Sequence, residues 1–363
     1  MNTNLIKIFT ILIILLSSGC AFADDIDYVK GIVIDIIAQN QNAELKETMG
    51  GDQIEQILKV KILSGEFQGK EVLVENQLTS NPAYDIDIHK NDRVLVGIEN
   101  INDKKKDFYI ADKERVPILY FLSGLFFLLL LIVGGKKGVN SIVSLLMTGF
   151  LIFSVLIPFV MKGYPVLPVT VLVSIFSTAI TMFVVGGLNL KSIGATLGTI
   201  ISLFLAGLLS LFVIKYGYLT GFGSQESQML WTSNPKLNFK GILSASMIIA
   251  SLGAIMDIGM SIASCINEIK KTNNSLTIKE LVKSGMNVGK DIVGTMASTL
   301  ILAYIGSSFF LFLLLENVPV SKFLNLNSVA SEISAAIVGS IGIVLCVPIT
   351  AIVTSYLLTI KKK

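Results

Sequence analysis

Apolar runs of about 20 residues recur along the C-terminal two-thirds of this chain, and a run of that length crosses a hydrocarbon core roughly 30 Å thick. Seven can be marked: Pro117 to Val133, Val139 to Val160, Val166 to Val185, Ile193 to Ile214, Gly241 to Cys265, Val288 to Leu315 and Ile333 to Thr359. With 52% hydrophobic residues, 15% charged residues and a mean hydropathy of +0.73, the chain is too apolar for an ordinary soluble protein. The fold class expected is a polytopic α-helical membrane protein of about seven transmembrane helices.

A different pattern precedes the spans. Residues 1–23 read as a signal peptide: Lys7, an apolar core from Ile8 to Leu16, then Ala21-Phe22-Ala23 as the cleavage site. An uncleaved anchor, or a lipoprotein leader ending at Cys20, are the alternatives. Residues 24–115 then carry a two-residue alternation, as in Leu58, Val60 and Ile62 against Lys59 and Lys61, and again in Val94, Val96 and Ile98. Further strands are expected at Val29 to Ile37, Glu71 to Glu75 and Phe108 to Ala111. Four or five short strands in so small a segment predict an exported β-rich domain, a barrel or an OB-like fold. Residues 116–363 form the membrane domain.

The charge divides in the same place. Asp24 to Val116 holds 19 acidic against 12 basic side chains, whereas the remainder after it is basic, so nothing points to a nucleic-acid partner. Cys20, Cys265 and Cys346 are too scattered for a disulfide framework, and no Cys/His spacing suits a metal. Lone His89, before the turn at Asn91-Asp92, reads as a solvated loop residue. If the front domain is exported, the cytoplasmic loops and adjoining helix ends carry Lys136, Lys137, Lys191, Lys270, Lys271, Lys279, Lys283, Lys290 and Lys361 to Lys363, and the opposite loops only five lysines. That asymmetry obeys the positive-inside rule and predicts a bacterial inner-membrane protein with its N-terminal domain outside and its C-terminus in the cytoplasm.

Asp257 and Asp291 are the only acidic residues well within apolar spans, and a membrane-embedded carboxylate is costly enough to mark a functional site. At 1.5 Å per residue, Asp257 lies about 16 Å from Glu268 and Asp291 about 12 Å from Lys283, which puts both at similar depth. Helical spacing sets Gly253, Asp257, Ser261 and Glu268 along one face, and Asn287, Asp291, Thr295 and Ser298 along a face of the next helix. The ion- or substrate-binding candidates are therefore Asp257, Asp291, Ser261, Thr295, Glu268 and Glu332. Structural pairing of the aspartates, as with neighbouring Lys290, is the competing reading. Ser174, Thr178 and Thr181 read as hydroxyls bonded back to their own helix.

Three blocks carry a resemblance: GAIMDIGMSIASCINE from Gly253, GMNVGKDIVGTMASTLILAYIGSS from Gly285, and EISAAIVGSIGIVLCVPITA from Glu332. They resemble the signature blocks of the YibE/F-like bacterial membrane proteins. The resemblance implies an exported β-rich region followed by multiple spans, and places Asp257, Glu268, Asp291 and Glu332 within family motifs. It assigns no substrate or cofactor.

The function expected first is that of a transporter or permease, with an acidic site for a cation, proton or small charged solute. The alternative is an envelope assembly or scaffolding protein whose residues 24–115 bind a protein partner. An intramembrane protease is the weakest reading, since Gly289-Lys290-Asp291 only approximates a G-x-G-D, and no G-x-x-x-x-G-K-[ST] is present to drive an ATP pump.

Overall fold

The computed structural model describes residues 26–42, 53–79, 81, 83, 85–102 and 105–360. The expected leader with Cys20, and the terminal Lys361 to Lys363, lie outside the described residues. Contacts divide the chain into two compact units, with the boundary after Leu129.

Five strands close the N-terminal barrel: β1 (Ile26–Asn42), β2 (Gln53–Ile62), β3 (Glu71–Leu78), β4 (Arg93–Asn102) and β5 (Lys105–Lys113). Their order around the barrel is β1-β2-β3-β5-β4, and β5 runs parallel to β3 at Glu75 and Tyr109. This is the order of an OB-like barrel, with every other neighbouring pair antiparallel. The alternation in the sequence fixes what lies inside. Val33, Leu58, Val60, Ile62, Val74, Val94 and Val96 are fully buried, and the intervening lysines and glutamates face water. Strand β1 is long enough to serve both neighbours because register shifts after Val33 and Ile36 bend it, letting residues 26–32 pair with β4 and 31–42 with β2. Gln56 and Asn76 are directly opposed and buried, and satisfy each other through an Asn76 Nδ2 to Gln56 Oε1 hydrogen bond of 3.1 Å.

Among the described residues, six helices are long and apolar enough to cross a membrane. Where seven spans were expected, the first two share one 46-residue segment, Val116–Met161. It comprises helix α1 (Val116–Phe150), a π-helical turn (Leu151–Leu156) and α2 (Ile157–Met161). At 1.5 Å per residue it is about 70 Å long, twice what one crossing needs. The backbone leaves helical geometry at Gly135 (φ 51°, ψ −128°), a conformation open to glycine, and the chain turns there so tightly that Gly138 backs onto the Leu130 carbonyl. Pro158 has no N–H to offer the carbonyl four residues earlier, which accounts for wider bonding in the turn before it.

The other spans are α3 (Val166–Gly186), α4 (Leu190–Tyr216), α6 (Phe239–Thr272), α7 (Ile278–Ser307) and α10 (Asn327–Ile360). Short helices α5 (Gln225–Ser233), α8 (Phe309–Phe312) and α9 (Val320–Leu324) lie between them. Helix α7 begins ten residues before its expected start because Thr277 and Glu280 form a reciprocal capping box. The centre of the bundle is α4, α6 and α10, with Leu203, Ile255, Ile258, Ile262, Ile343 and Val347 among its buried side chains. In lipid, close packing holds such helices together in place of a hydrophobic drive. Gly194 and Gly198 of α4 accordingly sit directly against Thr354 and Thr350 of α10.

Candidate functional site

Helices α1, α3 and α6 line a half-open cavity of about 440 Å³. Its one carboxylate is Asp257, which is exposed to it. Ser141, Ser144 and Thr148 of α1 follow at spacings of three and four, so all three hydroxyls fall on the helix face that lines the cavity. Thr181 lines it from α3, and Met256, Met260 and Gly253 from α6. Ile152, in the π-helical turn, completes the wall opposite. π-turns often accompany functional sites because they shift the register of the residues that follow.

The hydroxyls are organised across helices. Ser144 donates to Thr181 Oγ1 at 2.8 Å, and Thr148 and Ser177 share a hydrogen bond of 2.8 Å. Thr181 thus joins an interhelical network, whereas it had been expected to bond within its own helix. Nearby Ser174 and Thr178 have buried hydroxyls with no partner among the described residues. A single carboxylate with hydroxyl oxygens suits a proton or a small monovalent cation. Among the described residues, no group of three or more His, Cys, Asp or Glu side chains is placed to hold a metal ion.

The remaining candidates lie elsewhere. Helices α6 and α7 meet where Gly285 and Gly289 pack against Ile266 and Ile262, and helical spacing puts Asp257 and Asp291 on the far sides of their helices from that contact. The two carboxylates therefore face different surroundings. Asp291 and Thr295 are exposed on the outward face of α7, and Ser261 is exposed one turn beyond Asp257. Glu268, at the end of α6, accepts from Lys271 Nζ at 2.9 Å and Asn267 Nδ2 at 3.1 Å. Glu332 lines a separate cavity of about 230 Å³ with Tyr304, Phe312 and Ile337. The residues that sequence reasoning passed over are Ser141, Ser144 and Thr148. Their three-four spacing inside an apolar run was the available signal.

His89 is exposed in the turn before β4, as expected. Trp231 of α5 packs edge-on against Phe222 and is half exposed.

No curated protein and no solved structure gives a significant match to the chain. Two family profiles do match. The YibE/F family N-terminal domain covers residues 28–113, the barrel and nothing beyond it. The YibE/F-like protein profile covers residues 122–360, which takes in the bundle from Leu122 onward and all three signature blocks. The chain belongs to the YibE/F-like family of proteins.

Proposed function

We propose that this protein is a transporter in which Asp257 and the hydroxyls around it bind a proton or a small cation during translocation. The observation that carries this reading is the cavity itself: a carboxylate inside an apolar span, turned toward interhelical hydroxyls and away from the packed core. A charged side chain at the centre of a spanning helix costs about 2.5–3.5 kcal/mol on insertion scales, and a role in passage explains why the helix carries one. The lysine distribution supports an orientation with the barrel outside the cytoplasm and the C-terminus within it.

The test uses full-length protein in proteoliposomes under an imposed proton or sodium gradient, with flux followed by an internal pH or sodium dye. The parent should carry flux, Asp257→Asn should lose at least ten-fold while eluting as a folded protein, and Asp257→Glu should retain part of it. Equal flux from Asp257→Asn and the parent, or none from either, removes the reading.

A second reading rests on the barrel, whose outer surface exposes Ile37 on β1 and Leu73 on β3, either side of β2. Apolar side chains so placed are suited to an envelope protein partner. On that reading the bundle is a platform, and the Asp257 variants change abundance without changing a flux.

A further inference from the structure

Helix α7 packs on α6 and α10 through one face, where Gly285, Gly289 and Leu300 are buried. Its opposite face is turned out of the bundle. There Asn287, Asp291, Gly294 and Ser298 are all exposed. They are spaced four, three and four residues apart. This is the 3.5-residue period of a seam between two parallel helices. Asp291 lies about 20 Å from the start of the helix, deep in the span. A face bearing an asparagine, a lysine and an aspartate at that depth is expensive against lipid tails.

Three features decide what covers it. Lys290 and Asp291 sit on opposite flanks of the seam, and among the described residues neither has an ion-pair partner. Copies of one membrane protein share one orientation, so a two-fold axis along the membrane normal sets two α7 helices parallel and equal residues at equal depth. Opposite flanks then face each other, and each Lys290 meets the other copy's Asp291. The small residues allow the backbones to approach: a Cβ added at Gly294 would meet nothing within 4 Å inside the chain, leaving its open side to a second helix.

We propose that the occupant is a second copy of this chain, joined through α7 as a parallel two-fold dimer with reciprocal Lys290–Asp291 ion pairs. The surface is self-complementary in charge, which an unlike partner would not require. Asp291 then serves the subunit contact and Asp257 the cavity. The dimer stands whether or not the transport reading does.

The experiment measures the mass of full-length protein in nanodiscs, together with disulfide trapping in membranes. The parent should be dimeric. Lys290→Asp should weaken association at least ten-fold by setting four acids at one depth, and Lys290→Asp with Asp291→Lys should restore it, because exchanging the two charges preserves the pairing. Ser298→Cys should trap a homodimer on oxidation, and Ser246→Cys, exposed on the side of α6 away from α7, should not. A monomeric parent, a double exchange that remains monomeric, or Ser298→Cys trapped only to a different protein would each overturn the proposal. Since the double exchange keeps the composition and the cysteine variants are nearly isosteric, a fault in folding cannot imitate the restored pairing.

Discussion

Gly198→Ala puts a methyl group where α10 already stands. The added Cβ would lie 2.8 Å from both Cα and Cβ of Thr350, against about 3.5–4.0 Å for carbons in favourable contact. One of those atoms is backbone, so no rotamer change relieves the clash and the two helices must part by about 1 Å. Overpacking of this kind costs about 1–3 kcal/mol. In a unit of this size 1 kcal/mol moves Tm by about 2–4 °C, so the expected fall is about 2–12 °C. Gly149→Ala and Gly306→Ala are the internal controls, since a Cβ at either site meets nothing within 4 Å. Alanine's better helix propensity, by about 1 kcal/mol, should leave them unchanged or slightly more stable. The assay heats detergent-solubilised full-length protein and measures the folded fraction by size-exclusion chromatography. If Gly198→Ala melts with the parent, or the controls fall as far as it does, close packing of α4 on α10 is not what holds the bundle together.

Two further predictions concern the barrel and use the strand band of the infrared amide I spectrum, which separates it from the helices in the full chain. Asp92 accepts from Lys113 Nζ at 2.8 Å and from the His89 amide at 3.0 Å, which hold its carboxyl below the usual range; Arg115 does the same for Asp112. Their native pKa values lie below the unfolded value of about 3.9, so their stabilisation is complete above that pH and is lost as the pH falls through the native values. The parent barrel should therefore lose more stability than Asp92→Asn on going from about pH 5 to pH 2, and parallel losses would contradict the assignment. Glu114 is 4% exposed and pairs with Lys30 at 2.6 Å. Lys30→Met leaves the carboxylate only Arg93, 4.0 Å away, and should cost about 1–3 kcal/mol, with Glu114→Gln costing distinctly less because an amide needs no counter-charge; the reverse order would contradict that account.

The barrel and the spans were legible because each rests on a local period. Alternation marked Leu58, Val60 and Ile62 as interior, and apolar length marked the helices. The break between the first two spans was legible in Gly134-Gly135, where the backbone leaves helical geometry and the chain turns, although no extended loop separates the two helices. The early start of α7 was encoded in Thr277-x-x-Glu280, which strand and span patterns do not register. Asp257 stood out as a charge within an apolar run, but its companions did not. Serine and threonine are common in spanning helices, and only the placement of α1 beside α3 and α6 turns Ser144 and Thr181 into neighbours. The divergence of Asp257 and Asp291 was hidden for the same reason: equal depth follows from counting residues, and helix facing does not.

The glycine–threonine contacts between α4 and α10 set a mechanical division within the bundle. Two backbones pressed together at Gly194 and Gly198 cannot slide past one another without lifting over the threonines, so α4, α6 and α10 behave as a stiff keel. The opposite wall of the Asp257 cavity contains the π-helical turn beside Pro158. Compliance is thus concentrated on one bank of the cavity. On the transport reading proposed above, an opening toward either side of the membrane would be a movement of α1 against that keel, with Asp257 on the stationary bank.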